Sequence, residues 1–325
     1  MKKTRVFING FGRIGRAALR IMIEDESIEV VGINDIYNFE QMAQLFKYDS
    51  VYPTYHDSVV IERDSIKIGT KSIQLYREKE PSNLHLKDID VLLQCTGIFL
   101  SKNQNNPYLQ NGVKKVLLSA PADDDIPTFI MDVNHKTYKG EKILSNSSCS
   151  ANAIVPILDI LQKNYGVQNA SMSMFHSYTA YQKLLDVKHY SKDIRRSRSA
   201  TQNIQPLESS AAKETAKFFP HLAAKLYAKS IRVPLKAVTL YDITVKLGKN
   251  TDKETLNSHF KNTQKIISIA PQNAVSSDFI AKPQGAIMDL ALTQVIDGDL
   301  VKVFAWQDNE YGYAYQLVRL LKEIS

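Results

Sequence analysis

Two stretches carry residues whose types and spacing suit chemistry. The first is Gly10-Phe11-Gly12-Arg13-Ile14-Gly15, a GxGxxG pattern followed twenty residues on by Asp35. A turn of this kind lets backbone approach a pyrophosphate, and the helix that follows offers unpaired N–H groups to it. An acid about twenty residues later suits the hydroxyls of an adenosine ribose and repels a 2′-phosphate. The pattern therefore points to a dinucleotide, NAD rather than NADP. The second stretch is Ser145-Asn146-Ser147-Ser148-Cys149-Ser150-Ala151-Asn152. A cysteine opening a helix has its thiolate stabilised by the first N–H groups and the macrodipole, and the same donors can receive an oxyanion.

Seven histidines could serve as a base. His176 ends an alternating run over 170–175 and precedes Ser177-Tyr178-Thr179, while the others sit in polar, loop-like surroundings. Spacing alone does not bring His176 to Cys149. Cys95, the other cysteine, ends an apolar run with no polar helix start beside it and is read as an inert buried thiol.

The elements needed to hold these groups are visible in the periodicity. Residues 4–9 form a buried strand pattern, Ile14, Ala17, Ala18 and Ile21 make one helical stripe, and 28–33 is a second strand ending at Asn34-Asp35. Further strands at 90–93, 115–118 and 142–144 end in small polar residues, as ligand-binding ends of an open parallel sheet do. Beyond Cys149 the pattern changes. Helical stretches occur at 154–161, where Pro156 is expected to kink the helix, and at 211–219. Alternating strands at 239–247, 285–292 and 300–306 suggest a mostly antiparallel sheet, and 313–324 is helical again. The fold class is α/β: a Rossmann-type doubly wound parallel-sheet domain plus an α+β domain with a mostly antiparallel sheet.

Composition bounds the rest. The 325 residues are 44% hydrophobic and 23% charged, which suits two globular domains and excludes disorder or a disulfide scaffold. Two cysteines with no CxxC give no support for a metal site. Neither a signal-peptide core nor an apolar stretch of about 18 residues is present, so a cytoplasmic protein without a membrane partner is expected. A net charge of +7 suits an anionic small ligand as well as a nucleic acid.

Taken together, INGFGRIGR, SAP at 119–121, SNSSCSAN, HSYTAYQKLLD from His176, RRSR at 195–198, IRVP at 231–234, VSSDF at 275–279 and WQDNEYGY from Trp306 resemble the phosphorylating glyceraldehyde-3-phosphate dehydrogenase family, in that family's order. The resemblance implies an NAD-binding domain over 1–148, with a C-terminal helix 313–325 packing back on it, and a catalytic domain over 149–312. It implies Cys149 as nucleophile and His176 as a base that lowers its pKa, acting through a thiohemiacetal and a thioester. Ser148, Ser150, Thr179, Arg196, Ser209 and Arg232 match sites for the substrate phosphate and attacking inorganic phosphate. Gly10, Gly12, Arg13, Ile14, Gly15, Asp35, Lys79, Thr96, Ser119, Asn309 and Tyr313 match cofactor contacts. A homotetramer, a glycolytic role and no metal are implied likewise, with nucleic acid not expected as the main ligand.

The chain also departs from the family. Pro206-Leu207-Glu208-Ser209-Ser210 replaces the usual Ser/Thr-Thr-Gly, and Glu208 would oppose a phosphate it faced. Tyr181 replaces a small polar residue or Asp near the substrate phosphate, Ser150 replaces Thr, Lys79 replaces Arg, and Gln307 replaces Tyr. These departures keep two other readings in view: an erythrose-4-phosphate dehydrogenase, and an NAD-binding regulatory or RNA-binding paralogue without turnover.

Overall fold

A computed structural model describes residues 2–262 and 265–325. The chain divides into two compact units. One runs up to Ser148 and includes Ala314–Ser325; the other is Cys149–Tyr313. Among the described residues, no helix is long and apolar enough to cross a membrane.

In the first unit, β1 (Thr4–Asn9), α1 (Arg13–Met22), β2 (Ile28–Asn34) and α2 (Phe39–Lys47) are followed by three short strands, β3 (Val59–Glu62), β4 (Ser65–Ile68) and β5 (Lys71–Tyr76). Then come β6 (Ile89–Gln94), α3 (Lys102–Gln110), β7 (Val113–Leu118) and β8 (Ile143–Ser145). The eight-stranded sheet runs β3-β4-β5-β2-β1-β6-β7-β8. From β5 to β8 all neighbours are parallel, and β3, β4 and β5 form an antiparallel edge. The middles of the central strands are apolar, with Val6, Ile8, Val91, Leu92, Leu93, Val116 and Leu117 almost fully buried, as strands covered on both faces must be. The chain leaves β1 for β2 on one side, and the connection after β5 returns to β6 on the other side of β1, so a topological switch point opens at the carboxyl end of β1.

In the second unit, α4 (Cys149–Tyr165) is followed by β9 (Val167–Ser177), β10 (Gln205–Glu208), α5 (Ala211–Ala216), β11 (Leu226–Val233) and β12 (Thr239–Leu247). Next are α6 (Lys253–Lys261), β13 (Ile267–Ile269), β14 (Ala286–Met288), β15 (Gln294–Ile296) and β16 (Leu300–Gln307); α7 (Tyr311–Ile324) begins here and belongs from Ala314 onward to the first unit. The sheet order is β10-β11-β9-β12-β16-β14-β13, with β15 also on β16. It is mostly antiparallel, as the alternation indicates, except that β11 pairs with β9 and β13 with β14 in parallel. In β12, Thr239, Tyr241, Ile243, Val245 and Leu247 bury one face and the residues between them do not.

Two local expectations change, and one helix continues past its proline. α4 runs unbroken through Pro156, although proline lacks the N–H that would bond the carbonyl of Asn152. Nearly every α4 residue from Ser150 to Leu158 is buried, so packing holds the helix where propensity does not. The strand expected over 285–292 is only Ala286–Met288, after which Leu290–Leu292 form a 3-10 turn. The helix expected over 211–219 ends at Ala216.

Candidate active site

In the first unit the glycine turn follows β1 at the switch point. Gly10 has φ +95°, and a Cβ there would lie 2.7 Å from backbone atoms of Cys95 and Thr96. At Gly15 a Cβ would come within 2.2 Å of the Gly10 carbonyl oxygen, so the helix can sit this close to the turn only without a side chain. Gly12 is different: nothing lies within 4 Å of where its Cβ would be, so a ligand can approach the backbone there. Gly12 also caps α1 with no side-chain hydrogen bond and no acid in the first turn, which suits a bound anion. Asp35 stands at the end of β2, its Oδ2 accepting from Phe11 N–H at 2.6 Å and its Oδ1 from Tyr37 N–H at 3.2 Å. Phe11, Gly12, Arg16, Asp35, Tyr37 and Leu45 are among the residues lining a cavity of ≈ 720 Å³. The open turn, uncapped helix start and carboxylate-rimmed cavity fit a dinucleotide.

Other expected cofactor residues are placed unevenly. Thr96 follows β6 and donates its hydroxyl to Gln94 at 2.9 Å, and Ser119 follows β7 with its N–H on the Gln94 carbonyl at 3.0 Å. Both lie at strand ends beside the switch point. Ile14 is half-buried in the first turn of α1. Arg13 is turned to Asp49 in a short ion pair, with its guanidinium 5.5 Å from the Tyr52 ring centroid. Lys79 is exposed beyond β5. Asn309 and Tyr313 belong to the second unit, where Asn309 Oδ1 accepts from the Ser177 hydroxyl at 2.9 Å.

Sequence reasoning missed a buried row of amides below the turn. Asn34 Nδ2 donates to Asn9 Oδ1 at 2.7 Å, and Asn9 Nδ2 donates to Gln94 Oε1 at 3.1 Å and to the Tyr108 hydroxyl at 2.8 Å. Asn34 also exchanges bonds of 2.8 Å with backbone atoms of Glu78. Because buried amides must be satisfied, this row fixes the register of β2, β1 and β6 at the end where ligand binds. Its signal was present: each of those strands closes on Asn or Gln.

In the second unit Cys149 is the first residue of α4, and its Sγ lies 3.8 Å from His176 Nε2 near the end of β9. The two side chains that spacing could not connect are therefore together. Parallel pairing of β11 with β9 sets Arg232 opposite His176, and Arg232 Nη1 lies 2.6 Å from His176 Nδ1 and donates to the Ser177 carbonyl at 3.0 Å. From behind, Gln307 Nε2 donates to the Cys149 carbonyl at 3.0 Å while its Oε1 accepts from the Tyr241 hydroxyl at 2.7 Å. The departure at 307 thus anchors the start of α4.

The electrostatics differ from what the resemblance implies. Burial pushes the Cys149 thiol up from its ordinary value, opposed by the Arg232 charge and by hydrogen bonds from the Ser150 side chain and the helix-start backbone. Burial and then Arg232 drive the His176 imidazole down to about 3, against a smaller raising effect of the Ser177 carbonyl. At neutral pH the pair is therefore thiol and neutral imidazole, and the cation favouring thiolate is Arg232 rather than His176. A guanidinium cannot accept a hydrogen bond, so where Nη1 points at Nδ1 the ring proton is on Nε2. When Nδ1–H instead donates to the Ser177 carbonyl, 2.7 Å away, Nε2 is free to take the thiol proton. Reaching that second tautomer requires the Arg232 guanidinium, 2.6 Å from Nδ1, to turn away from the ring.

The expected anion residues cluster less tightly. Arg232 is half-buried, with its own pKa lowered to about 10 by desolvation and, to a lesser degree, by the charge of Arg196. Thr179 donates its hydroxyl to Gln182 at 2.9 Å, Ser209 accepts from Ala211 N–H at 3.1 Å, and Ser150 is buried. Ser148, half-buried, is the last residue assigned to the first unit. Ser210 caps α5 without a side-chain hydrogen bond. Glu208 is ion-paired with Lys229 across β10 and β11, and its side chain is 76% exposed. Its charge is thus balanced by a neighbour.

Among the other histidines, His135 and His189 are buried and each accepts a backbone N–H at Nδ1, which corrects the expectation of a loop surface. At Cys95 burial pushes the thiol up to about 12, which disfavours a thiolate there. Among the described residues no three His, Cys, Asp or Glu side chains converge as metal ligands.

A doubly wound unit with a dinucleotide turn, joined in one chain to a unit with a thiol and an imidazole at a helix start, defines a nucleotide-dependent oxidoreductase. Residues 4–102 match the family model described as "Glyceraldehyde 3-phosphate dehydrogenase, NAD binding domain", and residues 148–309 match the corresponding C-terminal domain. The chain is 36% identical to glyceraldehyde-3-phosphate dehydrogenase 2 of Bacillus subtilis over 99% of its own length and 97% of that protein. It is 38% identical to the Chlamydia pneumoniae glyceraldehyde-3-phosphate dehydrogenase over 98% of each. It is also 39% identical to the chloroplastic form A of Chlamydomonas reinhardtii, over 98% of this chain and 88% of that protein. The chain belongs to the glyceraldehyde-3-phosphate dehydrogenase family. It is an NAD-dependent enzyme.

Proposed function

We propose that the protein oxidises glyceraldehyde 3-phosphate and phosphorylates the product to 1,3-bisphosphoglycerate. The observation that carries this reading is the 3.8 Å contact of Cys149 Sγ with His176 Nε2 beside Arg232. His176 Nε2 takes the thiol proton as sulfur bonds to the aldehyde carbon, and returns it to the new oxygen to give a thiohemiacetal. The N–H groups opening α4 face charge developing on that oxygen. His176 then removes the hydroxyl proton as hydride leaves the carbon, and a thioester remains on Cys149. NAD, when bound on the Gly10–Gly15 turn, supplies the hydride acceptor. Inorganic phosphate attacks the thioester carbon, and the thiolate departs as the acyl phosphate forms.

Arg196 and Arg232, with Thr179, Ser148, Ser150 and Ser209, hold the phosphate groups. The two arginines are close enough for Arg196 to lower the pKa of Arg232, a repulsion that a dianion between them would relieve. The pairing of Glu208 with Lys229 supports the same reading, because the acid is compensated. Exposed Leu184, Leu185, Val187, Tyr190, Ile194 and Ile204 suit burial between copies, in keeping with the homotetramer and the cytoplasmic, glycolytic setting that the resemblance implies.

NADH formation by the purified protein tests this reading, with glyceraldehyde 3-phosphate and erythrose 4-phosphate each offered with and without inorganic phosphate. Phosphate-dependent turnover of the triose is expected. Phosphate-independent turnover of the tetrose would identify the hydrolysing relative, and NAD binding without turnover of either would identify a binding paralogue.

A further inference from the structure

Three arginines lie within four residues, and their surroundings differ. Arg195 is bonded through Nε and Nη2 to the two oxygens of Asp193, at 2.8 and 3.0 Å. Arg198 Nε is bonded to Asp186 at 2.8 Å. Arg196, among the described residues, forms no ion pair with a carboxylate; its guanidinium carbon lies 5.0 Å from the centroid of the Tyr181 ring.

That ring is held in place by its own loop. Tyr181 is edge-on to His189 at 5.0 Å and to Tyr190 at 5.4 Å, and His189 and Tyr190 stack at 4.4 Å. His189 is pinned at both nitrogens. Its Nδ1 accepts from Ser191 N–H at 2.9 Å, so the ring proton sits on Nε2, which donates to the Tyr181 carbonyl at 3.2 Å.

We propose that Tyr181 is a positioning residue for the substrate phosphate: its ring holds the Arg196 guanidinium without neutralising it. The inference rests on reading Arg196 as a phosphate ligand. A guanidinium over a ring is attracted through its flat face, while its N–H groups lie in its plane and remain able to form a fork on phosphate oxygens. A carboxylate partner would occupy that fork and cancel its charge, as Asp193 does for Arg195. Tyrosine at 181, where the family usually has Asp or a small polar residue, therefore keeps the arginine oriented with its fork left open for phosphate. Tyr181 is partly exposed, so the expected effect is modest.

The test measures KM and kcat of the full-length enzyme for glyceraldehyde 3-phosphate and for unphosphorylated glyceraldehyde. Tyr181→Leu should raise KM for the phosphorylated aldehyde about 2–5-fold, the range for a half-exposed cation–π contact, with kcat little changed. KM for unphosphorylated glyceraldehyde should not move. Tyr181→Phe and Tyr181→Trp, which keep a ring face, should retain the wild-type KM; Tyr181→Met replaces the leucine variant if that does not fold. A phenylalanine variant as impaired as the leucine one would overturn the proposal, because the hydroxyl and not the ring would be responsible. A wild-type KM in Tyr181→Leu, with a raised KM in Arg196→Leu, would overturn the role of the ring alone. A wild-type KM in Arg196→Leu would remove the reading of the arginine and this inference with it.

Discussion

Replacing Cys149 with serine is expected to lower kcat/KM for the aldehyde phosphate by about 10³-fold or more while leaving NAD binding intact. The loss follows from chemistry rather than shape. Serine keeps the helix-start N–H groups and the neighbouring Nε2, but its hydroxyl is a far weaker acid and nucleophile than a thiol. Any acyl group that did form would be an ester, which phosphate attacks less readily than a thioester. NAD affinity should persist because the glycine turn and Asp35 belong to the other unit. Steady-state NADH formation, with an NAD titration on the same preparation, measures both halves. A variant retaining a tenth of the activity would place the nucleophile elsewhere.

Replacing His176 with asparagine should cost about 10²–10⁴-fold in kcat, the range for losing a positioned acid–base group. Its effect on Cys149 reactivity separates two accounts. With the imidazole held down to about 3 it is neutral above about pH 5, so it adds no positive charge beside the thiol. Alkylation of Cys149 by iodoacetamide should then titrate at almost the same pH in wild type and His176→Asn. In Arg232→Leu it should titrate higher, because the main opposing charge is gone. A marked upward move in His176→Asn would instead indicate a thiolate–imidazolium pair.

The same shift affects stability. The unfolded imidazole titrates near 6.5 and the folded one near 3, so between those values the unfolded chain binds a proton that the folded chain does not. Wild-type stability should therefore fall as pH drops from about 6.5 towards 3, with a slope of about 1.4 kcal/mol per pH unit from this group. His176→Asn should lack that part of the slope in urea unfolding.

How much was legible in the sequence depended on how local the cause was. The glycine turn, Asp35 and the start of α4 are set by neighbours along the chain, and each reads from motif and periodicity. Arg232 beside His176 is not local; it depends on β11 pairing with β9 in parallel, 56 residues apart. The depressed imidazole was hidden for the same reason. Helix α3 carries no apolar stripe and contains Pro107, yet Ser101 and Gln104 cap it reciprocally, and Ser-x-x-Gln was a readable start signal. Pro156 does not end α4, because tertiary burial holds the helix where local propensity does not. Gln307 stood out only as a departure until its bonds to Cys149 and Tyr241 gave it a place.

The central claim is that oxidation proceeds through an acyl group on Cys149. The most direct measurement mixes the enzyme with NAD and glyceraldehyde 3-phosphate in phosphate-free buffer, then determines the mass of its peptides after acid quench. One rapid equivalent of NADH per site is expected, with an acyl adduct on the peptide holding Cys149 that is discharged when inorganic phosphate is added. Sustained turnover with no adduct, or an adduct on Cys95 instead, would contradict it.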